Sequence, residues 1–126
     1  MEQKYHDLLD HCNINGINGW HYVPNNDQKS LELALTSQPV SVAIYASVSS
    51  IQFYSSGIYD DPECLAHKEH LDHMVLAVGY GSNKGGDYWI IKNSWGTTWG
   101  DQGYIYLRRG NGANICGVMS QPCVPM

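Results

Sequence analysis

The chain has 126 residues, which is enough for one domain with a hydrophobic core of its own. Hydrophobic residues make up 43% and charged residues 15%, a composition that is ordinary for a globular protein and argues against disorder. The formal net charge is −5 and there is no basic run, which argues against a nucleic-acid or anionic-membrane surface.

Residues 1–27 carry no secure motif. The run 13–19 is rich in Asn and Gly, which predicts a loop-rich N-terminal segment. The opening MEQKYHDLLD lacks the basic start and apolar run of a signal peptide, and no apolar stretch approaches the roughly 20 residues that cross a bilayer. If the protein is secreted or lysosomal, we expect its signal to lie outside this sequence.

A short helix is predicted over residues 30–36, because apolar residues recur there at spacings of three and four. The polar residues 25–27 offer capping side chains before it, and Pro39 ends it. Residues 40–46 alternate apolar and polar side chains and are rich in β-branched residues, which predicts a strand.

The segment 47–70 consists mostly of turn-forming and polar residues, and we interpret it as a long surface excursion that contains Cys64. Three strand-like runs follow, at about 72–80, 87–93 and 103–109, separated by Gly-rich turns. One short helix followed by several strands that pair with their neighbours predicts an α+β fold.

Two residues in these runs have side chains suited to catalysis, His73 and Asn93. A lone histidine in an apolar strand is usually a core residue, and an asparagine at a strand end is usually a turn residue. On neighbouring strands, however, and with Trp95 beside them, the two side chains match two parts of a Cys-His-Asn nucleophilic site.

The motifs LDHMVLAVGYG from Leu71, DYWIIKNSWG from Asp87 and WGDQGY from Trp99 resemble the carboxy-terminal half of papain-like cysteine proteases of the cathepsin L type. The resemblance covers most of the chain. It implies that residues 28–126 form the β-rich, right-hand lobe of that fold, an antiparallel β-sheet or half-barrel with one short helix.

The resemblance also implies the roles of the site residues. His73 would activate the nucleophile and protonate the leaving amine, Asn93 would orient the imidazole, and Trp95 would shield their hydrogen bond from water. The family's Cys-Gly-Ser-Cys-Trp signature and its oxyanion-hole glutamine do not occur in these residues. We therefore expect a Cys-bearing helical lobe, on a separate chain or on upstream sequence, and no peptidase activity from this chain alone.

The expected activity is that of a cysteine endopeptidase acting on peptides and proteins, without metal or organic cofactor. The resemblance also implies cystatin-like inhibitors as partners. The family's pocket for the second residue on the acyl side of the scissile bond would be lined by Ala43, Leu71, Asp72, Met74 and Gln121. Small and apolar walls predict a preference for a bulky apolar side chain. Met74 departs from the family, whose members usually carry Gly or Ala there, and its bulk should narrow the pocket.

Four cysteines allow three pairings, which the sequence alone leaves open. The resemblance implies a disulfide between Cys64 and Cys116, which would suit an oxidising or lysosomal compartment. Cys12 and Cys123 remain as a second pair or as free thiols, and a free thiol at either position is the alternative candidate for the nucleophile.

Two other interpretations stay open. A chain without its own nucleophile could be a non-catalytic fragment that binds peptides, proteases or inhibitors. His67, His70 and His73 recur every third residue and could bind a metal if they were helical. A strand at His73 makes the absence of a metal site the expectation.

Overall fold

The structure, a computed structural model, describes residues 20–64 and 70–125. In chain order the elements are β1 (Trp20–Tyr22), α1 (Gln28–Leu35), β2 (Val40–Ile44), α2 (Ser49–Gln52), β3 (Ile58–Tyr59), β4 (His73–Asn83), β5 (Gly86–Lys92), β6 (Tyr104–Arg108), a 3-10 turn (Ile115–Gly117) and β7 (Cys123–Pro125). The strands form one curled sheet in the order β1-β7-β2-β4-β5-β6-β3. Within these ranges no helix has the length and hydropathy of a bilayer-crossing segment.

This architecture confirms the predicted α+β half-barrel. Strands β2, β4, β5 and β6 pair in antiparallel fashion with their neighbours, as expected. The sheet is mixed at one edge, where β3 runs parallel to β6. Strand β3 is only two residues long, and so short a run carries no periodic signal that would reveal its direction.

The predicted helix is confirmed as α1. Its N-terminus is capped by Asp27, whose carboxylate accepts a hydrogen bond from the backbone N–H of Ser30 at 3.1 Å. Leu31 is fully buried, which packs the helix against the sheet. The four strand predictions are likewise confirmed as β2, β4, β5 and β6, with shifted ends.

The interpretation of residues 47–70 as a surface excursion is wrong in part. The segment contains α2 and β3, and each places one side chain in the core, Ile51 at 1% exposure and Tyr59 at 7%. Both elements are too short to produce the periodicity from which helices and strands are predicted. Residues 65–69 lie outside the described part of the chain.

The loop-rich prediction for residues 1–27 falls mostly outside the described residues, which begin at residue 20. The described end of that segment includes β1, which pairs with β7 through the register of His21 with Val124. The two ends of the described chain are thus neighbours at one edge of the sheet.

Cys64 and Cys116 are joined by a disulfide, with their Cα atoms 4.7 Å apart. This is the pair that the resemblance implied. Both side chains are buried, at 4% and 0% exposure, so the bond ties the segment after β3 to the 3-10 turn from inside the core. Cys123 is also disulfide-bonded, which excludes it as a free thiol and as a substitute nucleophile. Cys12 lies outside the described residues.

Arg109 fixes helix α1 to the sheet. Its guanidinium forms an ion pair with Glu32 of the helix, donates to the carbonyl oxygens of Tyr88 at 3.2 Å and Gly81 at 3.0 Å, and lies 4.7 Å from the ring centroid of Tyr80. The Arg109 side chain is only 9% exposed. A buried guanidinium with this many acceptors is costly to remove, because each partner loses its donor.

Replacing Arg109 by Met should lower the free energy of unfolding of the chain by about 3 kcal/mol, since Met retains the packing but leaves the Glu32 carboxylate and two carbonyl oxygens without this donor. Urea denaturation monitored by tryptophan fluorescence measures the change.

The matched control is Arg108→Met. Arg108 contacts Asp60 at 3.4 Å, and both side chains are more than one third exposed. We expect this control to stay within about 0.5 kcal/mol of the unchanged protein. Equal losses in the two variants would show that Arg109 is not the anchor described here.

Candidate active site

His73 is the first residue of β4, and its cross-strand partner on β2 is Ile44. The backbone N–H of the preceding Asp72 donates to the carbonyl of Ile44 at 3.0 Å, so the residue before β4 is also hydrogen-bonded to β2. Val75 and Ala77, which follow His73 on β4, are buried and form the inward face of the strand. The imidazole therefore stands at the end of a paired strand and is half-buried.

Asn93 directly follows the last residue of β5. Its side chain is 9% exposed, and its backbone N–H donates to the carbonyl of Gly103 at 3.0 Å. In the antiparallel ladder of β4 and β5, Leu76 pairs with Lys92. Continuing that register toward the end of the sheet brings the residues after β5 alongside the start of β4, which is why Asn93 and His73 meet.

The two side chains form a hydrogen bond of 2.7 Å between His73 Nε2 and Asn93 Oδ1. The backbone N–H of Ser94 also donates to Oδ1, at 2.7 Å, which identifies this atom as the amide oxygen. An amide oxygen only accepts, so Nε2 of His73 carries the hydrogen. The other ring nitrogen, Nδ1, is left to exchange a proton with a reacting group.

Trp95 stacks on the imidazole. The two ring centroids are 5.1 Å apart, and the ring planes differ by 30°. Trp95 is 37% exposed, so one side of the indole covers the imidazole while part of the ring faces solvent. An indole in this position keeps water from one face of the imidazole.

A second indole supports the first. Trp99 meets Trp95 edge to face with centroids 5.0 Å apart, and its Nε1–H donates to the carbonyl of Ile51 at 3.1 Å. Tyr54 also packs against Trp99, with the two ring centroids 5.8 Å apart. Burial raises the pKa of Tyr54 to about 12, so its hydroxyl stays protonated at neutral pH and donates to the carbonyl of Gly57 at 2.5 Å.

The turn that carries both indoles depends on glycine. Gly100 has φ of +61°, and a Cβ atom there would lie 2.6 Å from the carbonyl oxygen of Tyr104. A side chain at this position would force the turn to open. Glycine at this point therefore allows the chain to reverse beneath Trp95.

The structure brings together three of the five residues predicted to line the substrate pocket. Ala43 and Leu71 are buried in contact with each other, and Met74 is the cross-strand partner of Ala43. Gln121 is also buried, at 8% exposure, and no described residue gives its Oε1 a hydrogen bond. Of these four positions only Met74 exposes much of its side chain, at 36%.

The fifth predicted pocket residue, Asp72, has its carboxylate engaged elsewhere. One oxygen accepts from the backbone N–H of Ala46 at 2.8 Å, and the other accepts from the hydroxyl of Ser47. The side chain is 6% exposed. Its hydrogen bonds tie the segment after β2 to the residue before His73.

A pocket of about 210 Å³ adjoins the imidazole. It is lined by Ala46, Ser47, Gln52, Asp72, His73 and Trp95. Sequence reasoning missed Ser47 and Gln52 as neighbours of the site, because they belong to the segment interpreted as a surface excursion. No sequence motif marks them, and only the short helix α2 brings Gln52 toward His73.

The metal interpretation gains no support from the described residues, which contain no group of three or more His, Cys, Asp or Glu side chains placed to bind a metal ion. His67 lies outside the described ranges. His73 is on a strand and has its Nε2 engaged by Asn93.

Comparison with known proteins gives a consistent result. A sequence model of the papain family cysteine proteases matches residues 3–126. A cathepsin L-like peptidase of Aedes aegypti is 54% identical over 110 residues, which cover 86% of this chain and 32% of the mosquito protein. Cathepsin L of Sarcophaga peregrina is 45% identical over 129 residues, which cover 96% of this chain and 37% of that protein.

Among solved structures, the proform of the ragweed pollen allergen Amb a 11, a cysteine protease, superposes with a TM-score of 0.79 at 41% identity. The match covers 87% of this chain and 30% of the ragweed chain. The chain thus spans about a third of the length of the curated relatives it matches.

The geometry predicts the tautomer of His73. In the chain at a pH where the imidazole is neutral, Nε2 should carry the hydrogen, and nitrogen-15 chemical shifts of the ring measure this directly. Replacing Asn93 by Ala removes the acceptor and should give a mixture of the two tautomers.

Asn83→Ala is the control, because Asn83 is the exposed last residue of β4, at the far end of the strand from His73. This variant should keep the Nε2–H form. A predominant Nδ1–H form in the unchanged chain would contradict the hydrogen bond described above.

Proposed function

This chain belongs to the papain family of cysteine proteases, and we propose that it is the β-rich lobe that gives such an endopeptidase its histidine and asparagine. One observation carries the proposal: the 2.7 Å hydrogen bond between His73 and Asn93 beneath the stacked indole of Trp95. A fold maintained for packing alone has no need of an exposed indole over a half-buried imidazole.

In this proposal Nδ1 of His73 takes the proton of a cysteine thiol, and the resulting imidazolium keeps the thiolate ionised. The thiolate attacks the carbonyl carbon of the scissile peptide bond, and the same imidazolium then protonates the departing amine. Water hydrolyses the resulting thioester with His73 acting as the base. Asn93 holds the ring so that Nδ1 faces the thiol, and Trp95 shields the Nε2–Oδ1 bond.

The nucleophile comes from a different part of the enzyme. Each of Cys64, Cys116 and Cys123 is disulfide-bonded, so no described cysteine offers a thiol to His73. We propose that a helical lobe carries the reactive cysteine and the groups that bind the oxyanion. It would lie on a separate polypeptide or on sequence beyond the chain described here. Without that lobe this chain should not hydrolyse peptides.

Substrate preference would follow from the pocket that the resemblance to the family implies, with Ala43, Leu71, Met74 and Gln121, of which Met74 is the exposed member. Its apolar walls favour a bulky apolar side chain at the second acyl-side position, and the uncharged Gln121 gives no reason for a strong preference for Arg. Asp72 would act on this pocket indirectly. Its carboxylate accepts a hydrogen bond from the backbone of Ala46, which fixes the position of the chain next to Leu71.

Location and partners follow from the family in the same way. A buried disulfide suits a lysosomal or secreted protein, and the cathepsin L-like relatives point in the same direction. Protein substrates and cystatin-like inhibitors would both approach the edge where His73 and Trp95 are exposed.

The alternative is a non-catalytic fragment that binds peptides, proteases or inhibitors. The observation that favours it is the lack of a free thiol among the described cysteines. The two functions differ in one measurable respect, because only the first requires His73 for turnover.

The test combines this chain with a Cys-bearing lobe and measures kcat/KM on a dipeptide amide with Leu at the second acyl-side position. Replacing His73 by Ala should lower kcat/KM by on the order of 10⁴-fold, since the thiolate loses its base and the amine its acid. Asn93→Ala should lower kcat/KM by about 10- to 100-fold, because the imidazole loses one hydrogen bond.

Exposed residues of the same types give the controls, His70→Ala and Asn83→Ala, which should leave kcat/KM unchanged. Retained turnover in the His73 variant would remove that residue from the reaction and favour the binding function.

A further inference from the structure

The described part of the chain contains two methionines in opposite environments. Met119 is 5% exposed and belongs to the core, whereas Met74 is 36% exposed. Met74 follows His73 directly on β4, and because successive strand residues point to opposite faces, its thioether and the imidazole lie on different sides of the strand.

Met74 lines an open groove of about 460 Å³ together with Val75, Leu76, Asn93 and Ser94. Leu76 is also exposed, at 37%, so two large apolar side chains face solvent next to the residue that orients the imidazole. A thioether that is open to solvent can be reached by small oxidants, whereas a thioether in a packed core is protected.

We propose that Met74 is a peroxide-sensitive modification site that weakens apolar binding beside the His73–Asn93 pair. A hydroperoxide transfers its terminal oxygen to the sulfur: the O–O bond breaks, a sulfur lone pair forms the S–O bond, and hydrogen peroxide is reduced to water. The thioether becomes a sulfoxide, which reductase enzymes can reverse.

The change alters the chemistry of the groove. A sulfoxide is a polar acceptor, and covering it with an apolar side chain costs free energy because it loses its hydrogen bond to water. His73 Nε2 and Asn93 Oδ1 keep their contact, since the oxidised atom is on the other face of β4. The effect should therefore fall on binding rather than on the chemical step. This consequence for catalysis rests on the proposed function, whereas the reactivity of Met74 does not.

The first test uses the chain alone. It is exposed to dilute hydrogen peroxide and sampled over time, and each sample is reduced, alkylated, digested with trypsin and analysed by mass spectrometry. Met74 lies in the peptide that follows Lys68, and Met119 lies in the peptide that follows Arg109, where fragmentation distinguishes it from Met126. Circular dichroism verifies that the fold persists during the treatment.

Met74 should be oxidised roughly sevenfold faster than Met119, the ratio of their exposed fractions of 36% and 5%. Equal rates, or faster oxidation of Met119, would overturn the proposal.

The second test uses the assembled enzyme. Its reactive thiol is first protected as a methyl disulfide, the enzyme is treated with peroxide, and dithiothreitol then frees the thiol without reducing methionine sulfoxide. KM for the Leu-containing substrate should rise about threefold or more with kcat nearly unchanged, and methionine sulfoxide reductase should restore it.

The matched variant is Met74→Leu, which has an apolar side chain that peroxide does not oxidise. Its own KM should not change on the same treatment, and an equal rise in this variant would overturn the proposed consequence. An assembled enzyme that has no activity before peroxide treatment would contradict the proposed function. The oxidation rates of Met74 and Met119 in the isolated chain would still test the reactivity of Met74.

Discussion

The antiparallel ladder between β4 and β5 is the constraint on which the site depends. The pairing of Leu76 with Lys92 fixes where each strand ends, and His73 and Asn93 lie just beyond that pair at the same end of the sheet. Side chains alternate along a strand, so a slip of one residue would turn Asn93 away from the imidazole. The core side chains Trp89 and Ile91 on β5 prevent that slip, because it would expose them to water.

The residues around the ladder restrict the imidazole further. Trp95 contacts one face of the ring, and Trp99 holds Trp95 from behind through its own hydrogen bond to Ile51. The buried carboxylate of Asp72, the residue before His73, accepts a hydrogen bond from the segment that follows β2. The orientation of His73 is therefore restricted by contacts within this chain.

Much of the fold can be predicted from sequence patterns. The parts that could not be predicted are short elements, for a physical reason. Helix α1 and the longer strands have enough residues for a hydrophobic period to show, and the His73–Asn93–Trp95 motif is recognised by its resemblance to the family. Helix α2 and strand β3 have four and two residues, so their formation depends on tertiary contacts such as the burial of Ile51. The roles of Ser47 and Gln52 as neighbours of the imidazole could not be predicted, because that proximity arises only when these short elements pack.

The central claim is that this chain gives a histidine to a cysteine located elsewhere, and labelling in the natural source tests it most directly. An extract is treated with an epoxide probe that alkylates papain-like thiolates, and material containing this sequence is purified under native conditions and analysed by mass. The account predicts a labelled cysteine, outside the residues described here, on a polypeptide that contains this sequence or copurifies with it. Purified material that carries no label would contradict the account and leave a lobe without a catalytic partner.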